Sequence, residues 1–308
     1  MGSGTGPIKR GGLDADIFQM MHRRWIELGA LLLLAGCGSG SAPTEPTTTE
    51  ATTAAVTVEE TTTTATPPTT PATTTTTAPC DGGVTFSHAP VDLDAVEYLT
   101  PFGLMTDSHV TPVDHQYFQN FAEPDREIAV YAPGAGTVTS IQHFGAPVTE
   151  DPQGIVDDFR IVIEHTCTVS SIFIHIGELI PRLAAFDPGV GNSASVDVPV
   201  EAGERIGTFT GNVDYNLVDL AFTTDGLIDP ASYAQEPWKI HVPDTFAFFE
   251  EPIAQQMADL SLRTAAPRGG RFAYDIDGHL VGNWFQEGTN GYEGADPDRY
   301  WGGHLSFA

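Results

Sequence analysis

From Val84 to about residue 225 the chain is a succession of short apolar runs cut by glycine, proline and aspartate, with no long amphipathic helix among them. Short alternating runs suit strands, whose successive side chains point to opposite faces. "DFRIVIEH" and "CTVSSIFIHIGEL" alternate most clearly and predict a hairpin that turns near His165–Thr168. "REIAVYAPGAGTVTSIQHF" predicts two strands around "APGAG". Its second half is mixed, with Val138, Ser140 and Gln142 interleaved with Thr137, Thr139 and Ile141. "VDVPVEAGERIGTFTG" predicts a strand, a turn at Ala202–Gly203 and a strand, and "NLVDLAFTTDG" one strand more. Strands with no helices between them must bury their apolar faces against another sheet. The expected fold is therefore mainly β, an antiparallel β-sandwich over residues 80–242.

Residues 243–308 read differently. "TFAFFEEPIAQQMADLSLR" places Ile253, Met257 and Leu260 at helical spacing, broken early by Pro252. "GRFAYDIDGHLVGNWFQEGT" and "RYWGGHLSFA" predict strands of a small β unit. The last of these would end as a bare edge, so the expectation is that this unit is incomplete. "DIDG" at Asp275–Gly278 resembles half a calcium loop but lacks the ligands that would follow, and reads as a turn.

The N-terminal quarter carries no core. "MHRRWIELGALLLLAGC" joins a basic start to a short apolar run ending in Leu34-Ala35-Gly36-Cys37. The run is too short to span a bilayer as a helix and fits a signal-peptide core. Its last four residues resemble a bacterial lipobox, which implies cleavage before Cys37 and a lipid on that thiol. Residues 1–37 are thus expected to be leader and signal peptide. Residues 38–79, rich in Thr and Pro, lack apolar periodicity and cannot offset the entropy of ordering; they predict an extended or disordered stalk. Outside the cytoplasm the two other cysteines, Cys80 and Cys167, are expected to pair in a disulfide, two buried free thiols being the alternative.

Charge narrows the partners. There are 13 basic and 41 acidic residues, a formal net charge of −28, and only two lysines, Lys9 and Lys239. Such a surface repels nucleic-acid phosphates, so no nucleic-acid partner is expected. A biotin or lipoate carrier, which shares the "V..G..IG" rhythm of Val200–Gly207, needs an exposed lysine at its hairpin. Lys239 lies well beyond that hairpin and Lys9 precedes the lipobox.

The ordered pieces "HVTPVD", "VYAPGAGTV", "IVIEHT", "IFIHIGEL", "VPVEAGERIGTFTGN" and "VDLAF" resemble the lysostaphin-type zinc endopeptidases of the duplicated hybrid motif fold, over roughly residues 100–225. The resemblance implies a β-sandwich of that type and a peptidoglycan-facing role. It implies His109 and Asp114 as zinc ligands, although their spacing is one residue longer than the family's, and His175 as a catalytic histidine. In the final strand Asp219 stands where a catalytic histidine belongs and Ala221 where the third ligand belongs. A catalytic zinc site needs three protein ligands and an open position for water. Asp219 or His115 could replace the missing ligand. His115 would do so only if the chain bends there, since in an extended segment it points away from Asp114.

Three functions remain open on the sequence. One is a lipid-anchored, degenerate peptidase-like module that binds wall peptide or an envelope protein without cutting and needs no cofactor. The second is a zinc-dependent peptidoglycan hydrolase with an altered ligand set. The third is carbohydrate binding through Tyr274, Trp284, Tyr292, Tyr300 and Trp301, although aromatics in strands usually pack in cores. His165 reads as a turn residue and His143 as a strand residue with no assigned role, while His241, His279 and His304 show no metal-ligand spacing and read as ordinary core or surface histidines.

Overall fold

The computed structural model describes residues 83–105, 111–144, 157–289, 291–293 and 304–308. His109, Cys37, Cys80, Tyr300, Trp301 and the segments expected to be signal peptide and stalk lie outside these residues. Ala78–Ala308 forms one compact unit. Its strands are β1 (Tyr98–Thr100), β2 (Gln116–Gln119), β3 (Ile128–Tyr131), β4 (Gly136–His143), β5 (Phe159–Glu164) and β6 (Val169–Ile176). After them come β7 (Glu178–Leu179), β8 (Asn192–Val200), β9 (Arg205–Phe209), β10 (Asn212–Asp219), β11 (Gly282–Trp284) and β12 (Leu305–Phe307).

The fold is mainly β and antiparallel, as the alternation predicts. One seven-stranded sheet runs β1-β2-β10-β6-β5-β4-β8, and a three-stranded sheet runs β3-β9-β7. A single core joins the two. Phe118, Ile141, Ile161, Ile163, Phe173, Val213, Tyr215 and Leu217 of the large sheet share it with Ile128, Val130, Leu179, Ile206 and Phe209 of the small one. The β5–β6 hairpin turns where expected, with the His165 and Thr166 amides both donating to Val169 O. The "APGAG" and Ala202–Gly203 turns carry the chain from one sheet to the other, since β3 and β9 pair together while β4 and β8 pair in the large sheet. Gly203 has φ 77°, a turn conformation that suits glycine.

The mixed pattern of β4 has a cause. Its register against β5 jumps between Val138 and Ser140, so Thr139 is an extra residue and both Val138 and Ile141 reach the core.

The 243–308 region contributes to the same packing. The helix α2 (Glu251–Leu260), second after the one-turn α1 (Pro181–Ala184), buries Met257 in the sandwich core, with Ile253 and Leu260 packed beside it. Pro252 occupies the helix's first turn, where its missing N–H costs nothing, so it starts the helix instead of breaking it. Among the described residues of the predicted C-terminal strands, β11 and β12 form, paired over three residues each. Residues 271–281 are irregular, and Phe272 turns into a second cluster with Phe102, Tyr233, Val242 and Tyr292. Asp275–Gly278 is a turn: the Asp275 carboxylate accepts the Ile228 and Asn283 amides, and Gly278 has φ 74°.

Candidate functional site

Strands β2, β10, β6 and β5 are neighbours in the large sheet, and alternation divides their side chains between two faces. Phe118, Val213, Tyr215, Leu217, Phe173 and Ile161 enter the core. The opposite face therefore receives Tyr117 from β2, Asp214 and Asn216 from β10, and Arg160 from β5. Across this face lie the single-turn helices Pro237–Ile240 and Gly291–Glu293, which bring Trp238, Lys239 and Tyr292.

His175 should follow Phe173 into the core by the same alternation, but it does not. Between Phe159 and Ile161 of β5, β6 advances from Ile176 to Phe173, one residue too many. The surplus is a bulge, in which His175 takes φ 71° and swings out of the core series. A left-handed conformation is unfavourable for a non-glycine residue, so the surrounding contacts must hold it there. The contacts in question are with two carboxylates: His175 Nδ1 lies 3.0 Å from Asp158 Oδ2, and Nε2 lies 3.6 Å from Asp214 Oδ2.

Asp214 Oδ2 also faces His115, whose Nε2 is 3.4 Å away and whose Nδ1 is 3.0 Å from Asp114 Oδ1. The result is a line of alternating acids and imidazoles: Asp114, His115, Asp214, His175, Asp158. Tyr117 Oη adds a contact to His115 Nε2 at 2.8 Å. Burial raises the Asp214 pKa, with His115 and His175 opposing. Burial also raises Tyr117, helped by Asp214 and Asp114.

At the other end of the line Asp114 is held in full. Lys239 Nζ donates to Oδ1 at 2.9 Å, and Asn216 Nδ2 donates to Oδ2 at 3.1 Å. The Asp114 and Lys239 side chains are 3% and 11% exposed. Burial works against the Asp114 carboxylate, yet Lys239 and His115 overcome it and hold its pKa far below the usual range. Burial likewise opposes the Lys239 charge, and Asp114, Tyr292 and Glu236 push its pKa up. Glu236 Oε2 lies 3.4 Å from Lys239 Nζ, which also sits over the Tyr292 ring at 5.0 Å. Arg160 is buried nearby; desolvation lowers it to about 9 against the opposing fields of Asp114 and Glu236.

Of the residues expected from sequence, Asp114, His115 and His175 come together, the first two because the chain bends at positions 114 and 115. His115 thus joins Asp114 at the site, where an extended segment would have sent it away. The final-strand assignment needs correction. Asp219 shares the strand parity of core-facing Tyr215 and Leu217, and at the end of β10 its carboxylate accepts the Ala221 amide. Ala221 is exposed in the turn beyond. The pair that faces Asp114 from β10 is Asp214 and Asn216, five residues earlier.

The residues that sequence reasoning missed are Asp214, Asn216, Asp158, Arg160, Tyr117 and Lys239. Asp214 and Asn216 had a signal, two polar residues at alternate positions in the otherwise apolar "VDYNLV". Lys239 had a weaker one, as the single lysine after the stalk in a strongly acidic chain.

Other expectations resolve by placement. His165 is a buried histidine as well as a turn residue, with Nδ1 at 3.0 Å from Ala135 O and Nε2 at 2.9 Å from Ser171 Oγ; burial lowers its pKa to about 4. Cys167 sits in the β5–β6 turn, and its expected partner Cys80 lies outside the described residues. Among the aromatics offered for carbohydrate, Tyr292 is core, whereas Trp284 is 45% exposed beside β12.

The described residues do not form the three-ligand zinc site that the family resemblance implies, and His109, one of its expected ligands, lies outside them. Asp114 has both oxygens taken by protein donors, one of them an ammonium, and the β10 side chain that meets it is an amide presenting N–H. Among the described residues, no group of three or more His, Cys, Asp or Glu is arranged to hold a metal ion.

No protein-family model matches the chain, and no curated protein is detectably similar to it. Among solved structures, a zinc-containing peptidase from Vibrio cholerae is similar, with a TM-score of 0.30 and 18% identity over 44% of this chain and 37% of that one. The chain thus spans little more than a third of that peptidase's length.

Proposed function

We propose that this chain is a lipid-anchored envelope protein whose sandwich groove binds wall peptide or an envelope protein without cutting it. The observation that carries the reading is the Lys239–Asp114 contact. A fixed positive charge stands 2.9 Å from the carboxylate that a zinc hydrolase would use as a ligand. Metal at Asp114 would have to compete with Lys239 at Oδ1 or with the Asn216 amide at Oδ2, and the buried Lys239 charge beside either oxygen opposes a second cation. The lipid anchor through Cys37 and the wall location follow from the lipobox and stalk patterns and belong to the same proposal.

The test has two parts. The protein is loaded with zinc, desalted and assayed for metal by elemental mass spectrometry, with Asp114→Ala as control. It is then sedimented with purified peptidoglycan, and the supernatant is assayed for released fragments. Co-sedimentation without fragments, and without zinc, is the expected result. About one zinc per chain, lost in the control, would overturn it in favour of a hydrolase with an altered ligand set.

A further inference from the structure

Residues 100–104 and 261–274 meet beyond the end of β1. The Leu262 amide donates to Leu99 O at 2.9 Å, the Phe102 amide to Gly269 O at 3.2 Å and the Arg271 amide to Phe102 O at 3.3 Å. A cavity of about 250 Å³ lies at this junction, walled by Pro101, Phe102, Leu104, Leu262, Arg263 and Tyr274. Phe102 is buried in the second cluster, whereas Leu104 and Leu262 are 37% and 61% exposed. None of these residues belongs to the acid–imidazole line.

The charge at this cavity is opposite to that of the chain. The chain has 41 acidic and 13 basic residues, yet residues 261–274 hold Arg263, Arg268 and Arg271 and no acid, and residues 100–104 hold no charge. Arg126, Arg182 and Lys239 are each paired with a carboxylate. Among the described residues the three arginines of this loop have no such partner; they donate to main-chain carbonyls. Arg268 is committed within the loop, to Ala258 O and Ser261 O. Arg263 donates from Nε to Pro267 O at 2.7 Å, which fixes the guanidinium and leaves its two amino groups without an acceptor among the described residues. Arg271 stacks on Tyr274, its Cζ 5.7 Å from the ring centroid, so a second positive charge lies against a wall residue.

A guanidinium anchored at Nε keeps an end-on pair of N–H donors, which matches the two oxygens of a carboxylate. The apolar walls call for an apolar group attached to that carboxylate, and the volume limits its size. About 150 Å³ holds a benzene-sized group, so this cavity takes one side chain and not a long acyl chain. A phosphate polymer has the charge but nothing apolar to fill the space. We propose that the cavity binds the C-terminal residue of a peptide, with its free carboxylate on Arg263 and its apolar side chain against Pro101, Phe102 and Leu262. The site is separate from the groove of the reading above and does not depend on it.

The full chain is titrated with N-acetyl-alanyl-leucine, its C-terminal amide and decanoate, with binding read by saturation-transfer NMR of the ligand methyls. Inorganic phosphate is then added as a competitor. Saturable binding of the free acid and none of the amide is expected. Arg263→Gln, checked for folding by thermal unfolding, is expected to weaken binding about tenfold or more, as for loss of one charge-assisted contact. Leu262→Glu alters a mostly exposed side chain and sets a negative charge beside the cavity, and it is expected to weaken binding as much. Equal binding of acid and amide, or binding of neither, overturns the proposal, as does binding unchanged in both variants. Tighter binding of decanoate than of the dipeptide overturns the peptide assignment in favour of an acyl chain. Displacement of the dipeptide by an equal concentration of phosphate overturns the carboxylate assignment.

Discussion

Replacing Lys239 by methionine removes the ammonium while keeping most of the apolar stem. The Asp114 carboxylate is then left buried with the Asn216 amide and His115 but no cation donating to it, Arg160 acting only through its field. Breaking a buried pair by deleting one partner costs about 3–5 kcal/mol, because the remaining charge stays desolvated. A unit of about 230 residues has an unfolding entropy near 0.5 kcal/mol/K, so the midpoint should fall by about 6–10 °C at pH 7. The pH dependence has a definite sign. In the wild type the Asp114 pKa is depressed and that of Lys239 raised. Their mutual stabilisation is therefore complete between the unfolded values of about 4 and about 10. In Lys239→Met, Asp114 escapes its penalty by taking up a proton, so the gap to wild type should narrow as pH falls from 7 to 4. Pairing Lys239→Met with Asp114→Leu should recover most of the loss, since a buried ion pair exchanged for apolar side chains is often neutral. Thermal unfolding followed by circular dichroism at both pH values measures all of this. A deficit below about 1 kcal/mol, or one unchanged by pH, would refute the claim that this pair is buried and mutually dependent.

Two further perturbations probe other parts of the molecule. Asp214→Asn should stabilise the protein at pH 7, because burial raises the Asp214 pKa and the ionised form is therefore a folded-state cost. That gain should disappear below about pH 4, where the unfolded carboxyl is protonated too; a destabilised variant at pH 7 would mean that His115 and His175 more than compensate the charge. Met257→Ala should cost about 2–5 kcal/mol, read as a lower unfolding midpoint, since Met257 has no exposed surface and fills the core beneath the large sheet. A shift under about 1 °C would show that α2 does not support the sandwich.

Much of the fold could be read from local pattern. Ile161, Ile163 and Phe173 alternate, and their alternation alone predicted a hairpin with one buried face. Ile253, Met257 and Leu260 recur at helical spacing and predicted α2, because periodicity records which side of an element faces water. Asp114 and His175 were visible as candidates through the family resemblance of their segments, and His115 through its place beside Asp114, not through periodicity. What alternation could not supply was register. One surplus residue in β6 reverses the face on which His175 emerges, and the residue spacing of the final strand does not say whether Asp214 or Asp219 lies opposite Asp114.

The sequence by itself determined a set of strands bound to pack as antiparallel sheets, since these depend on composition and local periodicity; the leader and stalk stand as expectations from the same kind of pattern. Tertiary structure alone decided what sits at the site. Lys239 meets Asp114 from 125 positions further along the chain, and Asp214 gathers two imidazoles, one from the bend before β2 and one from β6, contacts that no local pattern encodes. Whether a carboxylate faces a metal or an ammonium is fixed by which distant chain segment folds over it.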